Sequence, residues 1–274
     1  MSSYLKKMKK DFNAEPEELD LKDSTKACKR INAFVEEKTD GMITHLIDPV
    51  DHDLERLIIV NAVFFKAVWT SPFVERNTAK DTFYGVKGVR QERFMKERIT
   101  CFYKFLPDVK MIILHYTEIG YYMVIMMPAG DYEEWRANLN GDTFLSLLNN
   151  CDSGAVSVPK FKVEADLDGK RTLETLGVTK IFTPQGDFTD VCYTIKNEHF
   201  DLVEMAKDSD LFVEMILHKA VVEIDEEGTR AAAATAVICV KGARAPKPET
   251  FKADRPFLYA IMYEKNILFL GQFV

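Results

Sequence analysis

Residues 223–251, EIDEEGTRAAAATAVICVKGARAPKPETF, are the stretch on which the fold turns. Four consecutive alanines, Ala231, Ala232, Ala233 and Ala234, favour helix, yet they follow Gly228 and Thr229 and run into Val237, Ile238, Cys239 and Val240, which favour strand. Read as extended chain, a period of two sets Thr229, Ala231, Ala233, Thr235 and Val237 on one face and Arg230 and Ala232 on the other. The first face is entirely small or β-branched, so such a segment can enter a sheet without a steric clash. Beyond it Lys241, Gly242, Ala243, Arg244, Ala245 and Pro246 form an exposed tip open to proteases. On composition alone a plain surface loop is an equal reading.

Working outward, residues 212–224 read as a long strand that groups His218 with Ile216, Ala220, Val222 and Ile224 on an apolar face. A buried His needs a hydrogen-bond partner. Residues 57–69, LIIVNAVFFKAVW, are almost continuously apolar, which suits a central strand covered on both faces. Alternation there sets Asn61 with Val63, Phe65, Ala67 and Trp69, so a polar Asn is expected to point into a core. With no nucleophile beside them, a structural hydrogen bond between Asn61 and His218 is the expectation, not a catalytic pair.

Other strands are expected at 102–105, 111–116, 121–127, 155–163, 237–240, 257–263 and 267–273, and helices at 132–148 and 167–176. Residues 23–47 carry Ala27, Ile31, Phe34, Val35, Ile43 and Leu46 at helical spacing. Asp23 and Ser24 are the candidate caps and Gly41 the interruption, with a further short turn of helix after it. The class is α+β, rich in antiparallel sheet, and residues 1–274 read as a single domain with no linker or repeat.

Composition removes several functions. Of 274 residues 47% are hydrophobic and 29% charged, enough for a large core and too apolar for disorder. A net charge of −7, with 36 Lys and Arg scattered among 43 Asp and Glu, argues against nucleic acid. The basic cluster Lys6, Lys7, Lys9 and Lys10 is read as a solvated helix face. No run approaches a membrane span, and the start MSSYLKKMKK lacks a signal-peptide core, leaving extracellular and cytoplasmic locations both open. Five cysteines at wide spacing indicate neither a disulfide framework nor a zinc site. No metal, cofactor or catalytic motif is found, and the chain is read as a non-enzyme.

The chain resembles the serpins, the serine protease inhibitor family, from Tyr4 onward. INAFVEEKTDGMITHLI, NAVFFKAVWTSPF, VPKFKVEADLDGKRTLETLGVTKIF, HKAVVEIDEEGTRAAAATA, ADRPFLYAI and ILFLGQF match family segments in family order. The resemblance implies a large, mostly antiparallel main sheet, smaller sheets and a mobile reactive loop at about 226–250. It implies a suicide mechanism as well: a protease cleaves the loop, and the hinge side then inserts into the main sheet as a new strand. Insertion demands small side chains, which the hinge residues Gly228, Thr229, Arg230, Ala231, Ala232, Ala233 and Ala234 supply, with Arg230 on the outward parity. Family members that do not inhibit tend to have bulky or charged residues there.

By the same resemblance Glu226 and Lys160 form an ion pair at the top of the sheet beside Trp69, and Asn61 and His218 belong to a polar cluster beneath it. The scissile bond falls between Gly242 and Ala243, with cleavage after Lys241 or Arg244 as rivals. The implied partner is a serine protease, and cysteine proteases are also within the family's reach. The family's amino-terminal helices and first main-sheet strands have no counterpart, so the chain is expected to be truncated there, to expose apolar surface and to be open to self-association. The alternative is a non-inhibitory serpin-like binding protein or an inactive fragment.

Overall fold

The computed structural model describes residues 3–14, 16–17, 19–20, 23–49, 57–97, 102–148, 152–153, 155–188, 212–229 and 250–274. In chain order the elements are α1 (Ser3–Phe12), α2 (Ser24–Lys38), β1 (Leu57–Phe64), β2 (Ala67–Val68), β3 (Ala79–Gly85), β4 (Gly88–Glu97), β5 (Phe102–Phe105), β6 (Val109–His115), β7 (Tyr121–Pro128), α3 (Tyr132–Asn138) and α4 (Gly141–Leu147). There follow β8 (Asp152–Ser153), β9 (Ala155–Pro159), β10 (Phe161–Asp168), α5 (Gly169–Thr175), β11 (Val213–Ile224), β12 (Gly228–Thr229), β13 (Thr250–Lys252), β14 (Phe257–Tyr263) and β15 (Asn266–Phe273). Contacts group the chain into two compact units, Met1–Phe64 with Glu164–Val221 and Phe65–Val163 with Val222–Val274.

In the first unit α2 starts where the sequence says it should: the Asp23 carboxylate accepts the Lys26 amide. Ala27, Cys28, Ile31 and Val35 fall on its buried stripe. The helix ends at Thr39, whose hydroxyl donates to the Val35 carbonyl and accepts the Ile43 amide. Asp40 and Gly41 then take positive φ and turn the chain away. The second turn of helix expected beyond Gly41 does not form, because the Asn32 side-chain oxygen accepts the amides of Leu46 and Ile47 while its nitrogen donates to the Ile47 carbonyl. Those amides are thereby engaged by a side chain in an extended conformation.

β1 runs parallel to β11, with Leu57 opposite Val213 and Phe64 opposite Val221. Val60, Ala62 and Phe64 pack with Val35, Ile43 and Val221, and Ile58, Met215 and Leu217 with Cys28, Ile31 and Ile47. These alternate positions therefore share one covered face, and the expectation that β1 is covered on both faces is corrected: Ile59 and Asn61 are exposed.

The second unit holds a six-stranded sheet in the order β15-β14-β7-β6-β5-β8 and a four-stranded sheet β13-β9-β4-β3. Phe83, Phe94, Met95, Met123, Ile125, Phe257 and Ile261 are among the fully buried side chains of their shared core. β3 and β4 form a hairpin that sequence reading passes over, because charged side chains dilute its alternation. Those charges lie on the same face of the hairpin as the buried Phe83 and Phe94, where Arg90 meets Glu92 along β4 at 2.6 Å and Lys96 reaches Asp81 on β3 at 2.8 Å. The single helix expected at 132–148 is two, α3 and α4, since Asn140 caps the second by accepting the Thr143 amide. Residues 155–163 likewise divide, at Lys160, into β9 and β10, and the Lys160 amide continues the β9–β4 ladder by donating to the Arg93 carbonyl.

Candidate functional site

The second unit gathers Gly228 and Thr229, the first residues of the expected hinge, around a tight turn. The Asp225 carboxylate accepts the amides of Glu227 and Gly228, and the Asp225 amide donates to the Gly228 carbonyl. This reverses the chain at the end of β11 and lays β12 antiparallel to it, with Thr229 opposite Ile224. On its other side β12 pairs with β2, Gly228 opposite Val68 and Thr229 opposite Ala67. The approach is close enough to demand glycine: a Cβ on Gly228, which has φ 156°, would overlap the Ala67 carbonyl oxygen and lie 2.8 Å from Val68 Cα.

Thr229 is wholly enclosed, at 0% exposure, so its hydroxyl must be satisfied inside the protein. Its Oγ1 lies 2.9 Å from the Tyr116 hydroxyl. Burial pushes the Tyr116 phenol well above its ordinary value, a shift that its hydrogen bond to Thr229 opposes, so the pair is neutral at physiological pH. The Tyr116 ring stacks on Trp69, centroids 4.4 Å apart and planes 12° apart. Trp69 holds the turn twice, its Nε1 donating to the Asp225 carbonyl at 3.0 Å and its amide to the Glu227 carbonyl at 2.9 Å.

Glu226 sits behind the turn. Its Oε2 meets Lys160 Nζ at 2.7 Å and its Oε1 accepts the Thr78 hydroxyl at 2.8 Å, while its carbonyl accepts the Phe73 amide. Burial acts to raise its pKa, but the hydrogen bonds from Lys160 and Thr78 outweigh that and leave it below the ordinary value. Neighbouring Asp225 goes the other way, raised by burial despite the two amides it accepts. The structure thus brings together Trp69, Lys160, Glu226, Gly228 and Thr229. Sequence reading missed Tyr116, Thr78 and Asp225, and no spacing signal marks the first two: Tyr116 and Thr229 are 113 residues apart and Thr78 and Glu226 148.

Asn61 and His218, in the first unit, are register partners on β1 and β11. They do share a face, but it is the one opposite α2: Asn61 is exposed, His218 is half-buried, and among the described residues no side-chain hydrogen bond joins them. The inward Asn61 expected from the sequence is corrected. Arg230, Ala231, Ala232, Ala233 and Ala234 and the bond candidates Lys241, Gly242, Ala243 and Arg244 lie outside the described residues, as does the strand expected at 237–240. Among the described residues no helix is long and apolar enough to cross a membrane, and no cluster of three His, Cys, Asp or Glu could hold a metal ion.

The short strand β12 is thus held between β11 and β2 beside the Trp69–Tyr116 stack, in a chain that also forms a four-stranded and a six-stranded sheet. The family model for serpins, described as serine protease inhibitors, matches residues 1–274, and the chain belongs to that family. Iripin-5 of Ixodes ricinus is 33% identical over 282 residues, covering 99% of this chain and 68% of that protein. Serpin B6 of Pongo abelii is 33% identical over 287 residues, covering all of this chain and 72% of the relative. Among solved structures, Serpin48, a highly specific serpin in the insect Tenebrio molitor, superposes with a TM-score of 0.77 at 28% identity, covering 99% of this chain and 71% of its own. Serpins are mostly protease inhibitors and not catalytic enzymes.

Proposed function

We propose that this chain inhibits a serine protease as a suicide substrate. The protease's nucleophile attacks the carbonyl carbon of Gly242, the peptide bond to Ala243 breaks, and the new amine leaves with a proton, giving an acyl-enzyme. Bonds after Lys241 or Arg244 are the alternative sites. Insertion of Thr229, Arg230, Ala231, Ala232, Ala233 and Ala234 between the strands carrying Asn61 and His218 then carries the acyl-linked protease away before water can deacylate it.

The observation that supports this reading most is Thr229. It is the first hinge residue on the inward parity and it occupies a fully enclosed strand position between β11 and β2. Along Leu57–Phe64, in contrast, β1 is paired directly with β11, so no inserted strand lies between them.

The test is to mix the chain with a trypsin-like protease and with one preferring small residues. A covalent complex that survives boiling in detergent, with a released peptide beginning at Ala243, Gly242 or Ala245, is the expected result. Cleavage with no complex overturns the reading in favour of a non-inhibitory binding role. Thr229→Arg would place a charge in an enclosed position, and should convert stable complex into turnover of cleaved chain.

A further inference from the structure

The hairpin of β3 and β4 sorts its charges between its two faces. Asp81 and Glu92 lie on the face of Phe83 and Phe94, where Lys96 and Lys252 hold the first and Arg90 the second. The other face takes the alternate positions, paired Lys80 with Arg93, Thr82 with Gln91 and Tyr84 with Val89. Over that length it holds no acid, although Asp and Glu outnumber Lys and Arg by 43 to 36 in the whole chain. Lys80 and Arg93 are exposed and directly opposite, which sets like charges against each other at a cost. Among the described residues neither has an ion-pair partner. The next acid of the same parity, Glu97, is engaged by the Asn77 side-chain amide at 2.8 Å.

At the turn end of the hairpin the strip meets a cavity of about 240 Å³ lined by Tyr84, Val86, Pro128, Tyr132, Arg255 and Pro256. Tyr84 is 54% exposed and its cross-strand partner Val89 66%, so aromatic and aliphatic surface stands open beside the cations. Arg255 is exposed at the cavity, with Asp254 3.4 Å from its Nε. Asp131, the one acid of the lining, is turned to the Glu134 amide, which its carboxylate accepts.

We propose that this face of the hairpin docks an acidic peptide segment of a partner protein. The segment lies along the strip, sets a carboxylate between Lys80 and Arg93, and places an aromatic or aliphatic side chain in the cavity beside Tyr84. A carboxylate there turns the Lys80–Arg93 repulsion into two attractions, and the Arg93 guanidinium can take it bidentately. Strand rise puts Lys80 about 13 Å from Tyr84, so acid and anchor stand about four residues apart in an extended occupant. A peptide fits better than a polyanion, whose binding grows with the number of cations it neutralises, because Thr82, Gln91, Tyr84 and Val89 take up the rest of the strip. So small a contact implies reversible binding in the micromolar range. No residue of the expected reactive loop enters it, so the proposal is independent of the inhibitory reading.

A random peptide display library is panned in parallel on the wild-type chain and on Lys80→Glu/Arg93→Glu. Sequences enriched on the wild type alone should carry Asp or Glu about four residues from a Phe, Tyr, Trp or Leu. The most enriched peptide, synthesised with a fluorophore, should bind the wild type with a micromolar Kd by anisotropy, and more weakly as salt rises. Binding should fall about tenfold or more in Lys80→Glu/Arg93→Glu and about fivefold in Tyr84→Ala, while Lys80→Arg keeps it. Amide chemical shifts of the wild type should move within 79–93 and at Arg255 on titration, a readout that does not depend on the variants folding. No enrichment specific to the wild type, enriched peptides without acids, affinity indifferent to charge reversal, or shifts confined to other residues would each overturn the proposal. Dextran sulfate bound in a reversal-sensitive way, with no acidic peptide enriched, would overturn it in favour of a polyanion surface.

Discussion

Gly228→Ala isolates what the packing of β12 against β2 contributes. The added methyl meets backbone atoms, the Ala67 carbonyl oxygen and Val68 Cα, so no side-chain rotation relieves it and β12 must part from β2. Parting forfeits the Trp69 amide bond to the Glu227 carbonyl, the Thr229–Tyr116 hydrogen bond and the pairing of Thr229 with Ala67. At about 1 kcal/mol for each hydrogen bond the cost is about 2–4 kcal/mol. Gly41→Ala is the control: φ is 73° there but nothing lies within 4 Å of the new methyl, so only backbone strain of about 1 kcal/mol is incurred.

In a chain of this size 1 kcal/mol moves the melting temperature by about 2 °C, so the two variants should fall about 4–8 °C and about 2 °C respectively. Differential scanning fluorimetry supplies the shifts, and hydrogen exchange supplies the location, because the Trp69 amide should lose protection in Gly228→Ala alone. Equal destabilisation of the two variants, with Trp69 still protected, would refute the reasoning.

Tyr116→Phe keeps the stack on Trp69 but strands the enclosed Thr229 hydroxyl, and should cost about 1–3 kcal/mol in urea unfolding. Adding Thr229→Val should recover part of that loss, giving a coupling energy of about 1 kcal/mol in the double-mutant cycle. Lys160→Met leaves Glu226 with Thr78 alone, and should cost about 2 kcal/mol, since Glu226 is 8% exposed and its partner 35%. Because the folded pKa of Glu226 lies below the ordinary 4.5, its stabilisation is complete above about pH 4.5 and is lost as pH falls through the folded value. The stability gap between wild type and Glu226→Gln, followed by equilibrium unfolding against pH, should therefore narrow on acidification. A gap that widens in acid contradicts the sign.

What the sequence made legible was local or repeated. Asp23 capping α2, the strand covering residues 257–263 and the strand up to Ile224 all announce themselves within a window of a dozen residues. The face shared by Asn61 and His218 was legible too, since alternation fixes parity, but parity does not say which face is covered. That depends on where α2 packs. β3 and β4 were hidden for another reason: Asp81, Arg90, Glu92 and Lys96 share a face with the buried Phe83 and Phe94, so charged and core positions have the same parity and no apolar alternation shows along the chain. Around the hinge, small residues and glycine were readable as a steric specification, whereas Tyr116 was not, because a phenol that satisfies one distant hydroxyl leaves no periodic trace.

The pairing of β14 with β7, Leu258 opposite Met126, has a bearing on how the second unit is made. β14 pairs along one edge of β7, so the backbone amides and carbonyls of that edge lack their ladder partners until β14 arrives, long after β6 and β7 have been synthesised. Closing so long a loop is slow relative to forming the β6–β7 ladder. Nascent chains should therefore pass through a stage with an unfilled place beside β7, and chaperone dependence should be greatest in that interval.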